Sequence, residues 1–242
     1  MKSMGNFKLK ISDLILCVLY LVIVIIFFMF KGNTKMTFSD VDNEITNFKT
    51  VKFGRLILTE DQDSEVNDME WIVLDEKDDK YLLLSKYCIL SFIFHNDYGK
   101  LNWNNSLLRY YLNNQFYELS FYESERAEIY RNDVENINPN IFGKDFGVNT
   151  YDDIFMLSVE ECEKYFSDDD SRIAKYKKID DNGEIEYINV YYWTRTKGFN
   201  EYDIATINSD GSINYYGYDI MTSEIYIRPA MWVNKDYFEK KG

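Results

Sequence analysis

The longest apolar run in the chain covers residues 14–30 (LILCVLYLVIVIIFFMF) and contains no charge, glycine or proline. A helix over this run rises ~26 Å, or ~30 Å with Ile11 and its neighbours, which matches the hydrocarbon thickness of a bilayer. In lipid a helix satisfies its own backbone hydrogen bonds, and a helix apolar on every face suits a membrane better than a soluble core. The run ends in Phe27, Phe28, Met29 and Phe30, then Lys31-Gly32-Asn33-Thr34-Lys35, with no small-residue cleavage site. Cys17 lies inside the run behind Leu16, where a lipoprotein signal would need a small residue. The pattern predicts an uncleaved transmembrane signal anchor over residues 11–31, containing Leu14, Tyr20 and Phe30. A short cytoplasmic tail at 1–10 precedes it, and a polar juxtamembrane stalk at 32–47 follows. Lysines are nearly balanced across the span: Lys2, Lys8 and Lys10 before it, Lys31, Lys35 and Lys49 after it. A short tail ahead of one span favours an inside N-terminus, with the large domain outside the cell membrane.

Beyond the stalk the pattern changes to strands. Val51, Phe53, Leu56 and Leu58 predict one around Gly54, followed by an acidic loop. The apolar runs 71–74 and 81–85 predict a hairpin, with residues 75–79 as its turn. Residues 103–114 (WNNSLLRYYLNN) switch to helical spacing. Trp103, Leu107, Tyr110 or Tyr111, and Leu112 share a face there, and Asn104 or Asn105 is the expected cap. Ser120 with Glu123, and Ser158 with Glu161, read as capping boxes. Residues 154–157 read as a strand. The last third reads as strands at 187–194, 204–208, 213–218 and 225–233. Asp210-Gly211 is a hairpin turn, and Asp181-Asn182-Gly183 marks another. Strands, two helices, an irregular middle and more strands make an α+β domain over 48–236, with a C-terminal tail at 237–242.

Charge narrows the partners. The net charge is −14, and since residues 1–30 hold Lys2, Lys8, Lys10 and Asp13, the remainder carries −16. Such a domain is repelled by nucleic acid and anionic headgroups, so no nucleic-acid partner is expected. Tyr 21 and Phe 17 against Pro 2 partly reflect an AT-rich genome, so the tyrosine surplus does not by itself mark a binding surface. Of the three cysteines, Cys17 lies in the span; the apolar settings of Cys88 and Cys162 favour buried free thiols over a bridge.

Little in the chain points to catalysis. The single histidine, His95, excludes histidine-rich metal sites and leaves at most one general base. Nucleophile-elbow, P-loop, dinucleotide, H-E-x-x-H and C-x-x-C motifs are all missing. Calcium would have to use Glu60, Asp61, Asp63 and Glu65, or Asp168 to Asp170, or the Asn138-Pro139-Asn140 tripeptide. It needs six to eight converging oxygens, and acidic loops are usually just solvated, so no cofactor is expected.

An ordered set of segments carries a resemblance. These are Phe53-Gly54, Trp71-Ile72-Val73-Leu74-Asp75, the strand ending at Ser85, and Trp103, Ser106 and Arg109 in WNNSLLRYYLN. Next come FMLSVEE around Ser158, then Trp193-Thr194-Arg195, Asp210-Gly211, and residues 227–233 (IRPAMWV). Together they resemble a family of uncharacterised domains common in low-GC Gram-positive bacteria, over roughly residues 50–234. The C-terminal half also looks like the C-type-lectin-like fold in the version shared with formylglycine-generating enzymes. That resemblance implies a core sheet built from the tryptophan-arginine strand, a hairpin and a closing R-P-A strand. The related oxidases need a reactive cysteine pair, and neither Cys88 nor Cys162 lies in the matching C-terminal segments, so the likeness carries fold alone.

Trp71, Trp103, Arg109, Trp193, Arg195, Arg228 and Trp232 form the expected framework. Trp71, Trp193 and Trp232 would bury their rings within strands, and Trp103 would dock the helix. The three arginines would lay their stems along those rings and bond buried carbonyls or carboxylates. The functional alternative is an aromatic, arginine-lined pocket for an anionic or sugar-like ligand. The whole chain reads as a membrane-anchored, extracellular, non-catalytic recognition module for a glycan or protein, held in the bilayer through residues 11–31. The alternatives are a carboxylate-dependent enzyme acting on the cell wall, and a structural or regulatory partner of another membrane protein.

Overall fold

Strand β13 (Pro229–Asn234) is the spine of the larger sheet. One edge pairs with β3 (Lys80–Ser85); the other is shared by β4 (Ile129–Tyr130) at Trp232 and Val233 and by β7 (Phe155–Met156) at Pro229 and Ala230. Beyond β3 lie β2 (Asn67–Lys77) and β1 (Thr50–Leu56), and every pairing is antiparallel. A second, three-stranded sheet orders β10 (Tyr192–Lys197), β11 (Asp203–Ile207) and β12 (Ile213–Asp219). Two hairpins pair β5 (Asn132–Val134) with β6 (Thr150–Asp152), and β8 (Ala174–Ile179) with β9 (Ile185–Val190). This computed structural model describes residues 48–56, 67–99, 101–136, 147–179 and 184–240, all within one compact unit, Glu44–Gly242. The expected anchor and stalk, with Leu14, Tyr20 and Phe30, lie outside the described residues. Among the described residues no helix is long and apolar enough to cross a membrane. The architecture is mostly antiparallel sheet with short helices, an α+β domain.

Local chemistry explains most boundaries and corrects several. The β2–β3 turn is only Asp78-Asp79, with Asp78 at φ 55, so Asp75 to Lys77 are strand and not turn. Asp tolerates this left-handed backbone better than most residues. Gly54 sits at φ 67 where β1 bulges, and a Cβ there would lie 2.5 Å from the Phe121 ring. The bulge and the close approach both require glycine.

The helical segment starts later than its spacing suggested. Trp103–Asn105 is a 3-10 turn, capped when the Asn102 amide donates to Asn105 Oδ1 at 2.8 Å. Ser106, rather than Asn104 or Asn105, caps helix α1 (Leu107–Tyr111) by accepting from the Arg109 amide at 3.1 Å. The later start shifts the helix phase, so Leu108, Leu112 and Phe116 face the core and Tyr110 is 67% exposed. A π turn (Leu112–Phe116) leads into α2 (Tyr117–Ser120). The expected box at Ser120 and Glu123 is displaced: the Tyr122 amide donates to Glu125 at the start of α3 (Glu123–Arg126), and Ser120 is buried. The box at Ser158 and Glu161 forms as expected at the start of α4 (Val159–Tyr165).

In the last third, the run 187–194 breaks at exposed Tyr191, because β9 and β10 belong to different sheets. The run 225–233 becomes strand only from Pro229, with Tyr226 in isolated bridges before it. Gly211 takes φ 83 at the expected turn, and a Cβ there would sit 1.7 Å from the Asp169 carbonyl. Residues expected as a tail instead form α6 (Asp236–Glu239), whose Tyr237 and Phe238 rings lie 5.1 and 5.7 Å from Phe53.

Candidate functional site

Three of the four tryptophans are framework. Trp71, Trp103 and Trp193 are at most 1% exposed, and each indole N–H is satisfied inside the domain. Trp71 donates to the Phe53 carbonyl at 2.7 Å, Trp193 to the Phe92 carbonyl at 2.7 Å, and Trp103 to Asp152 Oδ2 at 2.8 Å. Buried indoles find such partners because an unpaired N–H in a dry core is costly. Asp152 is fully buried and also accepts from the Thr150 hydroxyl at 2.7 Å and from Arg109 Nε at 2.7 Å. The structure therefore joins Trp103 and Arg109 through a carboxylate that the sequence reading did not single out. His95 is absorbed the same way, its Nδ1 accepting the Leu107 amide at 3.0 Å at the start of α1.

Trp232 differs. It is only half-buried, against the expectation of a buried ring, and no protein acceptor takes its indole N–H among the described residues. Alternation along β13 sends Met231 and Val233 into the core and puts Trp232 on the opposite side. There its ring lines a cleft of about 470 Å³, together with Phe155 of β7. Asn132, Asp133 and Glu135 from the β5 segment form one wall. Lys77, Asp78 and Lys80 of the β2–β3 hairpin form another, and Glu161 of α4 closes it. Asp79, beside this wall, accepts the Tyr130 hydroxyl at 2.8 Å, which holds its carboxyl below the ordinary value and pushes the phenol up. Lys80 Nζ lies 4.1 Å over the same Tyr130 ring.

Arg195 fixes the cleft from behind. It is 6% exposed and donates to the Met156 carbonyl at 2.7 Å, the Glu135 carbonyl at 3.0 Å and Glu161 Oε1 at 2.9 Å. Glu161 also accepts the Ser158 amide in its capping box. One guanidinium thus ties β7, the β5 segment and α4 into a single wall. The side chains of Lys77, Asp78, Asp133 and Glu135 have no protein partner among the described residues.

Arg228 sits apart, 2% exposed. It donates to the Ser85 carbonyl at 3.1 Å and lies between the Phe166 and Tyr192 rings at 5.7 and 5.4 Å. Among the described residues it has no carboxylate partner. Arg195 in turn lies 5.7 Å from the Phe155 ring, so the rings beside these two arginines are Phe and Tyr, not the tryptophans expected. Cys88 and Cys162 are free and buried, and burial pushes each thiol up to about 12. Of the calcium candidates, Asp168 caps helix α5 (Asp169–Arg172) and Asp169 pairs with Arg172. The loop with Glu60, Asp61, Asp63 and Glu65 and the tripeptide at Asn138 lie outside the described residues. In the sequence Trp232 reads as framework, Glu161 as half of a capping box and residues 77–78 as hairpin turn, whereas nothing marks Asn132, Asp133 or Glu135.

Fold and cleft together define a small antiparallel α+β domain with an aromatic-floored, polar-walled depression. Residues 78–235 match the family model described as Domain of unknown function (DUF6273), and the chain belongs to that family. No curated protein and no solved structure matches it.

Proposed function

We propose that this chain is a membrane-anchored recognition module, its domain outside the cell, that binds a glycan in the Trp232 cleft without catalysing a reaction. One observation carries the reading: of four tryptophans, the one left half-exposed, its N–H untaken among the described residues, floors a cleft walled by charged and amide side chains. A pyranose has an apolar C–H face that stacks on an indole and hydroxyls that need donors and acceptors around it. Lys77, Asn132, Asp133 and Glu135 supply both kinds. We further assign the domain to a C-type-lectin-like arrangement. The position of β13 at the centre of one sheet, directly after Arg228, supports this, as does the full burial of the Trp193-to-Arg195 strand.

The test is a tryptophan-fluorescence titration of the full-length chain in detergent micelles with a panel of cell-wall glycan fragments. A saturable change in the wild type that vanishes in Trp232→Ala is expected. No saturable change across the panel would sink the reading. The free carboxylates Asp133 and Glu135 favour a second reading, a carboxylate-dependent cell-wall enzyme, since such chemistry needs two acids ~5–10 Å apart. Product formation by the wild type, lost in Asp133→Asn or Glu135→Gln, would select it.

A further inference from the structure

We propose, resting on the glycan reading of the Trp232 cleft, that the sugar it takes is a hexosamine whose amine is free and charged, in preference to N-acetylated or acidic sugars. The cleft is lined by Asp78, Asp133, Glu135 and Glu161 against Lys77 and Lys80. Glu161 is paired with Arg195 at 2.9 Å. Lys80 lies 4.1 Å over the Tyr130 ring, and the hydroxyl of that ring donates to Asp79, so an acid stands near this ammonium as well. Three carboxylates, Asp78, Asp133 and Glu135, are then left with one ammonium, Lys77, and none of the four has a protein partner among the described residues. The backbone places two of these acids together. Val134 between Asp133 and Glu135 is buried, so strand alternation turns both acids away from the core on the same side. Arg195 fixes that segment by holding the Glu135 carbonyl at 3.0 Å. Trp232 lines the same cleft, and indole is the ring that attracts a cation most strongly. An ammonium on a sugar stacked there meets a ring face and an excess of carboxylates in one depression.

Other ligands fit less well. An N-acetyl group removes the positive charge, so the unpartnered carboxylates would lose water without gaining a counter-charge. An acidic or phosphorylated sugar adds like charge. The guanidinium that could offset it, Arg195, is already bonded to Glu161 and to the Met156 and Glu135 carbonyls. A lysine side chain of a protein shares the cation but carries no hydroxyls for the polar groups of Asn132 and Lys77 on the walls.

The test is a calorimetric titration of the full-length chain in uncharged detergent micelles with the fully deacetylated chitin disaccharide and with its N-acetylated parent. At about 150 mM salt and about pH 5.5, long-range attraction is screened while carboxylates and sugar amines are both charged. The free-amine disaccharide should bind about tenfold more tightly than the acetylated one. Asp133→Asn with Glu135→Gln should bring the two affinities within about twofold of each other, and Glu123→Gln with Glu186→Gln, the same charge change elsewhere on the surface, should keep the preference. Equal or tighter binding of the acetylated disaccharide would overturn the amine assignment and leave the glycan reading standing. Binding of neither disaccharide would overturn it too, and saturable binding of another glycan would then keep the glycan reading alone. Equal loss of preference from both pairs of substitutions would overturn it by showing mere attraction to net charge. Tighter binding of an end-blocked Lys-Lys dipeptide, with the same dependence on Asp133 and Glu135, would overturn it in favour of a basic peptide.

Discussion

The same side chain does two different jobs in this domain. Trp71, Trp103 and Trp193 are sealed in, each with its N–H bonded to a buried oxygen, while Trp232 stands half in solvent over a cleft. Burial on both sides of the sheet consumes a tryptophan's polar handle; exposure at a cleft leaves it for something else. The arginines divide in a parallel way. Arg109 and Arg195 each hold a carboxylate, Asp152 and Glu161, whereas Arg228 rests among rings and donates to the Ser85 carbonyl. Framework and site can therefore be separated by substitution.

The largest effect is expected on the sealed side. Asp152→Ala strands Trp103 Nε1, the Thr150 hydroxyl and the Arg109 guanidinium, and should cost about 3–5 kcal/mol in chemical denaturation. A cost under about 1 kcal/mol would mean that the buried network is not a stabilising unit. Alkaline titration probes the same dry interior. Both thiols have pKa values raised from an ordinary 9.0 to about 12. Their contribution to stability is thus complete below pH 9 and is lost as pH climbs from 9 through about 12. The slope is at most roughly 1.4 kcal/mol per pH unit for each thiol. Cys88→Ala with Cys162→Ala should flatten that slope, and an unchanged slope would assign it elsewhere, for instance to Tyr192, whose phenol burial also pushes up.

Arg195→Met comes next, at about 2 kcal/mol, because Glu161 loses its partner but remains partly solvated. Arg228→Met strands no carboxylate and should fall within about 1 kcal/mol of wild type in either direction. If the two arginine variants were equally destabilised, the distinction between paired and unpaired guanidinium would fail.

Much of this division is decided by long-range pairing, which explains what the sequence could convey. The turn at Asp210-Gly211 and the box at Ser158 and Glu161 are local devices, and both form where the residues announce them. Strand β8 (AKYKKI) escaped notice because its lysines hide the alternation, and its strand character comes from pairing with β9. The helix phase slipped because Ser106, not an asparagine, makes the cap. Asp152 gave no signal, since its donors Trp103 and Arg109 arrive from over 40 residues away. Trp232 lies in the apolar run PAMWVN, which reads as buried on both faces. Only the arrangement of β5, β7 and α4 around it leaves a cleft.

A small stability effect is also expected of Trp232, the residue with the largest expected functional one. The decisive measurement takes Trp232→Ala in the full-length chain and determines its unfolding midpoint and its glycan titration on the same sample. An unfolding free energy within about 1 kcal/mol of wild type, together with loss of saturable binding, is the expected pair of results. A variant that unfolds like a core deletion, or one that binds the glycan as the wild type does, would return Trp232 to the framework and leave the cleft without a function.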